Sequence, residues 1–187
     1  MQNNFRSQLC IFVFFMSLMA QCQAASSGEI WLLVDTQALT LSVMQNDVVQ
    51  QTYDNMSIGR GGVTQDKIIN DEKTPLGEFR IVRIAEDSPF HRFYGFDYPS
   101  LAHARRALEL NVIDQRQFSA IRRALRAEDM PPQGTPLGGY LGIHGIGAGD
   151  ASIHADFNWT NGCIALTNDQ IDDLDRWIFH GMRVIVR

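Results

Sequence analysis

The sequence predicts a single β-rich α+β domain behind a short leader. Three observations carry this. Segments of β-branched and apolar residues stand near both ends of the chain. Helical patterns are inserted between them instead of alternating regularly with them, which argues against a βαβ layout. No internal repeat and no low-complexity linker divides the chain.

The elements follow in chain order. Residues 1–24 carry one positive charge, Arg6, then an apolar run over residues 9–20 and a small, polar end, "QCQA". This is the three-part pattern of a secretory signal peptide, and the run falls short of the roughly 20 residues that span a bilayer as a helix. The expectation is a signal peptide at 1–24, a domain at 25–187, export to a periplasmic compartment, and no stable membrane anchor after cleavage. "EIWLLVDT", "LTLSVMQ" and "VVQQTYDNMSIG" read as strands, with "QND" turning the chain between the last two. "GRGGVTQDKIINDEKTPLGEF" reads as a loop leading into the strand "GEFRIVRIAE". Two helices follow. "PSLAHARRALEL" has Pro99 and Ser100 near its start, and Asp114 caps "QRQFSAIRRALRAE". "DMPPQGTPLGG" breaks the pattern with three prolines. Strands resume at "YLGIHGI" and "CIALT". Thr167 and Gln170 then form a capping box for "IDDLDRWIFH", a helix that Gly181 would end, before the last strand "RVIVR".

Charge and cysteine usage narrow the function. The chain carries a net charge of −5, and loss of Arg6 with the leader makes it −6. Basic residues cluster in "HARRALELNVIDQRQFSAIRRALRAED", but acids interleave at helical spacing, so no nucleic-acid partner is expected. Of three cysteines, Cys10 and Cys22 lie in the leader, which leaves Cys163 alone in the mature chain. A single thiol in an exported protein is either reactive or inertly buried. A reactive one needs a base and donors for an oxyanion. Gly162, just before Cys163, allows close backbone approach and N–H groups aimed at one oxygen. Among His91, His103, His144, His154 and His180, the candidate base is His144, at the end of the apolar strand "YLGIH". His103, in an arginine-rich helix, reads as a surface residue. His180 reads as part of a last helical turn.

Two other chemistries are weighed and set aside. "GIGAGD" follows a strand as a dinucleotide loop would, but no clear amphipathic helix opens after it. His144, His154, Cys163 and His180 could in principle supply zinc ligands, but their spacing matches no compact motif.

The segment "HGIGAGDASIHADFNWTNGCIALTN" resembles the catalytic core of the L,D-transpeptidases, the YkuD-type cysteine enzymes of bacterial peptidoglycan. His144 is followed by 15 positions and then Thr160, Asn161, Gly162 and Cys163, as in that family's His-spacer-Ser/Thr-x-Gly-Cys signature. "KTPLGEF" resembles the family's T-P-x-G-x-F/Y segment, and "FYGFDYPSLAHARRA" and "PPQGTPLGG" resemble elements of a periplasmic subgroup. The resemblance implies a β-sandwich of two mixed sheets with short inserted helices. It implies that Cys163 attacks a stem tetrapeptide, His144 moves the proton, the Gly145 carbonyl orients the ring, and the N–H groups of Gly162 and Cys163 form the oxyanion hole. A thioester then passes to an amine of a second stem peptide, a wall-attached protein or a D-amino acid, or to water, which would make the enzyme a carboxypeptidase or amidase. No metal or organic cofactor is implied. A non-catalytic peptidoglycan-binding module is the reading from another class. Trp159, Thr160 and Asn161 are candidate substrate contacts. Trp159 either lines the cleft or packs under the loop, and Thr160 either bonds within the loop or caps a turn. Tyr94, Tyr98 and Arg105 are read as structural. The commonest family pattern has histidine where Asn161 stands and arginine or asparagine where Ala165 stands, which leaves the choice of acceptor open.

Overall fold

A computed structural model describes residues 28–187, so the expected leader at 1–24 lies outside the described residues. The chain opens with an antiparallel meander, β1 (Ile30–Asp35), β2 (Thr40–Gln45) and β3 (Val48–Tyr53). Alternation drives it: Leu32, Val34, Leu41 and Val43 are buried, whereas Val48 and Val49 stand exposed on the edge strand. The stretch read as a loop contains a two-stranded parallel pair, β4 (Val63–Thr64) with β5 (Thr74–Pro75). It leads into the long strand β6 (Gly77–Ser88), which turns back into β7 (His91–Phe96).

Helices α1 (Leu101–Glu109) and α2 (Gln115–Arg126) follow. The Asp114 side chain accepts from the Gln117 N–H and Gln117 reaches back, the reciprocal cap expected there. Then come β8 (Gly142–His144), α3 (Ala151–Asp156), β9 (Ile164–Ala165), α4 (Asn168–Asp175) and β10 (Arg183–Val186).

Eight strands run in the order β3-β2-β1-β10-β6-β7-β8-β9. This order makes two mixed sheets sharing β6, as the fold class predicts. In one, β10 lies parallel to β1 and antiparallel to β6. In the other, β9 lies parallel to β8. β6 pairs with β10 up to Arg80 and with β7 from Ile81 on, and a register shift between Ile81 and Arg83 falls where it passes from one sheet to the other.

Four details depart from the sequence reading. β7 was not expected, because "HRFYGF" lacks alternation; it is buried at Tyr94, Gly95 and Phe96 by its place in the middle of a sheet. α3 was not expected either, and it is a single six-residue segment started by Asp150, whose side chain accepts from the Ser152 N–H. α4 keeps its Thr167–Gln170 capping box but ends at Asp175, because the Gly181 N–H is drawn to the Ile81 carbonyl at 2.7 Å and the chain unwinds to reach it. His180 therefore lies in the turn before β10, not in a helix.

His103 is the clearest correction. It is buried, not at the surface. Its ring stacks on Phe79 at 5.6 Å, meets Tyr98 at 5.2 Å, and its Nδ1 bonds Ser100 Oγ at 2.8 Å. Because a helix has two faces, an arginine-rich segment still turns one residue in four or so toward the core. Tyr94 and Tyr98 are structural as expected: Tyr94 donates to Asp175 at 2.8 Å and Tyr98 to the Leu137 carbonyl at 3.0 Å.

Candidate active site

The two residues singled out by sequence are brought to one cleft by a parallel strand pair. His144 ends β8 and pairs with Ala165 of β9, and Ile143 pairs with Ile164. Side chains alternate along a strand, so Cys163, two residues before Ala165, faces the side that His144 faces. The Leu166 N–H bonds the His144 carbonyl at 2.9 Å and locks that register. Both residues line one open cleft of about 600 Å³, together with Trp159, Thr160 and Asn161.

The turn before Cys163 is built by hydrogen bonds. Thr160 Oγ1 accepts from the Gly162 N–H at 3.1 Å and donates to the Cys163 carbonyl at 2.7 Å. Thr160 thus bonds within the loop, one of the two roles left open for it. The Gly162 N–H is held by Thr160. Gly162 has φ +127°, and a Cβ there would stand 2.5 Å from the Lys73 carbonyl, so only glycine fits. The turn is laid against residues 57–60, with Thr160 N–H to Ile58 O at 3.2 Å and Arg60 N–H to Thr160 O at 2.9 Å. Asn161 is exposed on its crest.

His144 is buried in an aromatic box. Phe90 lies 4.4 Å from its ring, Phe93 6.5 Å, and Trp159 meets it edge-on at 5.8 Å. Trp159 therefore both lines the cleft and packs on the histidine. Nδ1 lies 2.7 Å from the Gly145 carbonyl. A carbonyl can only accept, so Nδ1 carries the proton and Nε2 keeps a lone pair. Burial holds the His144 imidazolium unfavourable, lowering its pKa below the usual imidazole value, against the opposing pull of the Gly145 bond.

Cys163 is half-buried, and its thiol donates to the Tyr140 carbonyl at 3.5 Å. Although part of the residue reaches solvent, the walls around the sulfur are dry enough that burial pushes the thiol up to about 11. A Gly142 backbone N–H and the positive charge of Lys67 pull it back only partly. At neutral pH the pair is thus a neutral thiol facing a neutral imidazole with a free lone pair. That arrangement suits concerted proton removal as the sulfur attacks, more than a resting ion pair.

The sequence reading did not single out several residues in or behind the cleft. Phe90 and Tyr140 come from loops whose composition gives no hint of the site. Arg60 lines the cleft, paired with Glu72 at 2.5 Å. His154 is buried, and its Nδ1 accepts from the Trp159 indole N–H at 3.2 Å; only the i, i+5 spacing of the two could have suggested contact. A larger cavity of about 980 Å³ lies between β6 and α1 and contains neither His144 nor Cys163. Two histidines line it, His103 and His180, and His103 is committed to Ser100 and Phe79. Among the described residues, no three His, Cys, Asp or Glu side chains gather as a metal site, and no helix is long and apolar enough to cross a membrane.

A family model for the YkuD L,D-transpeptidase catalytic domain matches residues 29–186, and the chain belongs to that family. Its fold is that of solved L,D-transpeptidases. The helical cell shape determining protein Pgp2 from Campylobacter jejuni superposes with a TM-score of 0.57 at 19% identity, over 87% of this chain and 48% of that one. Bd1075 of Bdellovibrio bacteriovorus gives 0.54 at 17% identity, over 88% and 50%. An Enterococcus faecium L,D-transpeptidase gives 0.50 at 13%, over 85% and 50%. The chain spans about half the length of these relatives. No curated protein matches it.

Proposed function

We propose that this protein is an exported L,D-transpeptidase of the peptidoglycan layer, with Cys163 as nucleophile and His144 as general base. The observation that supports this most is the His144 ring, whose Nδ1–H is spent on Gly145 so that Nε2 is left basic on the face that Cys163 shares. In the reaction, the thiol turns from the Tyr140 carbonyl toward Nε2 and gives up its proton as sulfur attacks the carbonyl of a stem tetrapeptide. The Cys163 N–H takes the oxyanion, joined by the Gly162 N–H where it leaves Thr160 Oγ1. The imidazolium returns the proton to departing D-alanine, and a thioester remains. An amine of a second stem peptide, of a wall-attached protein or of a D-amino acid then attacks it, with Nε2 again taking the proton. Water in the amine's place gives a carboxypeptidase. The steps need no metal or organic cofactor. The leader-like residues 1–24 support periplasmic export, where the substrate lies.

A second reading, a peptidoglycan-binding module without catalysis, is favoured by one observation: the resting thiol bonds Tyr140 and is poorly ionised. Incubation with defined tetrapeptide muropeptides, followed by mass spectrometry, separates the readings. Transpeptidation predicts D-alanine loss with the mass of a second stem added, and Cys163→Ala abolishes both. D-alanine loss alone means hydrolysis. Unchanged muropeptides that nonetheless bind would support the module.

A further inference from the structure

We propose that Lys67 is a positioning residue for the Cys163 thiol: its ammonium, anchored by Asp71 beneath the Gly162 turn, stabilises the sulfur as it becomes anionic. This rests on the reading of Cys163 as the nucleophile. Lys67 is only 4% exposed, which is rare for a lysine. Its Nζ donates to Asp71 Oδ1 at 2.6 Å. That carboxylate is held in turn by the N–H groups of Lys73 and Ile68, both at 3.0 Å, so the ammonium is fixed in place. A Cβ on Gly162 would lie 3.2 Å from Lys67 Nζ, so the backbone leading into Cys163 is laid directly on the cation.

A buried ion pair is weak evidence for stability, because desolvation offsets most of its Coulomb gain. Its location suggests another use. The lone imidazole starts neutral, so the site otherwise lacks a fixed positive charge close behind the sulfur. Lys67 supplies one and draws the thiol's ionisation downward against burial. The other charged and titratable groups around the sulfur do not replace it. His144 faces it from β8, with His154 behind. Across the cleft, Arg60 is paired with Glu72, and Arg83 and Asp87 of β6 offer opposite charges; Lys67 is likewise paired, with Asp71, but it is the charge that acts on the Cys163 sulfur. In the proposed reaction only His144 carries the transferred proton.

The test is the alkylation rate of Cys163 by iodoacetamide at pH 7.5 in the full chain, followed by peptide mass spectrometry that separates it from Cys10 and Cys22. Far below its pKa, a thiol whose pKa rises one unit loses tenfold in thiolate and regains about threefold in intrinsic nucleophilicity. Lys67→Met should therefore slow alkylation roughly threefold or more and lower kcat with KM little changed. Lys67→Arg should restore the rate to within about twofold. Lys67→Met with Asp71→Asn avoids an orphaned carboxylate and should still be slower than wild type, though less so than Lys67→Met alone. A folded single or double variant alkylated at the wild-type rate overturns the proposal. Should both unfold, the wild-type protein decides: a cation behind the sulfur makes anionic iodoacetate fast relative to neutral iodoacetamide, compared with a free cysteine peptide, and an equal ratio overturns it. The nucleophile reading fails by a different result, D-alanine release that survives Cys163→Ala.

Discussion

The reaction proposed for Cys163 depends on how one histidine is held. The Gly145 carbonyl chooses the tautomer of His144, and the aromatic walls keep the ring neutral. In the proposed role, His144 is a base whose burial holds it below the usual imidazole value. The acid limb of kcat/KM is thus expected below pH 6.5, because only there does the buried ring accept a proton in the free enzyme. His144→Ala removes the acceptor and should slow turnover about 100-fold or more, the usual share of a general base. A pH–rate profile of wild type beside His144→Ala checks both; an acid limb near 6.5 or higher, or a variant that keeps its rate, would contradict the assignment. That Cys163 and His144 would share one cleft was legible in the sequence because motif and spacing are local. Lys67 was not, since nothing near "QDKIIN" says that its ammonium will lie under a turn formed ninety-odd residues later.

Among the elements, the two reciprocal helix caps and the alternating strands β1 and β2 were readable because each depends on residues within one turn or one pleat. α1 was only half readable. Its position was right, but its inward face was not, and His103 shows the consequence. Burial drops the His103 pKa to about 4, against a small opposing pull from the Leu76 backbone. Protons then bind the unfolded chain more readily than the folded one, so the stabilisation is complete above pH 6.5 and lost as pH falls through about 4. A shift of this size amounts to about 3 kcal/mol. Urea unfolding at pH 7 and pH 4.5 should show a smaller acid loss in His103→Leu than in wild type; an identical loss in both would mean that His103 is not the group responsible.

For the molecule as a whole, β6 is the member common to both sheets, and one apolar cluster runs through them from Leu32 to Val186. A strand shared in this way cannot leave one sheet without opening the other. Thermal unfolding followed by far-UV circular dichroism and by tryptophan fluorescence should therefore give coincident transitions, since Trp31 reports one sheet and Trp159 the cleft beside the other. Two separated midpoints would show that the sheets unfold independently. Legible in the chain alone were the β-rich class, the starts of α1, α2 and α4, and the motif that holds His144, Gly162 and Cys163, all set by patterns that span a few residues or one motif. Tertiary structure alone decided that β10 returns to lie parallel to β1, that β7 is a central strand, that His103 and Lys67 are buried, and that an aromatic box keeps His144 neutral. Those facts depend on which distant surfaces exclude water from each other, and burial of that kind is a property of the assembled sheets, not of any window of sequence.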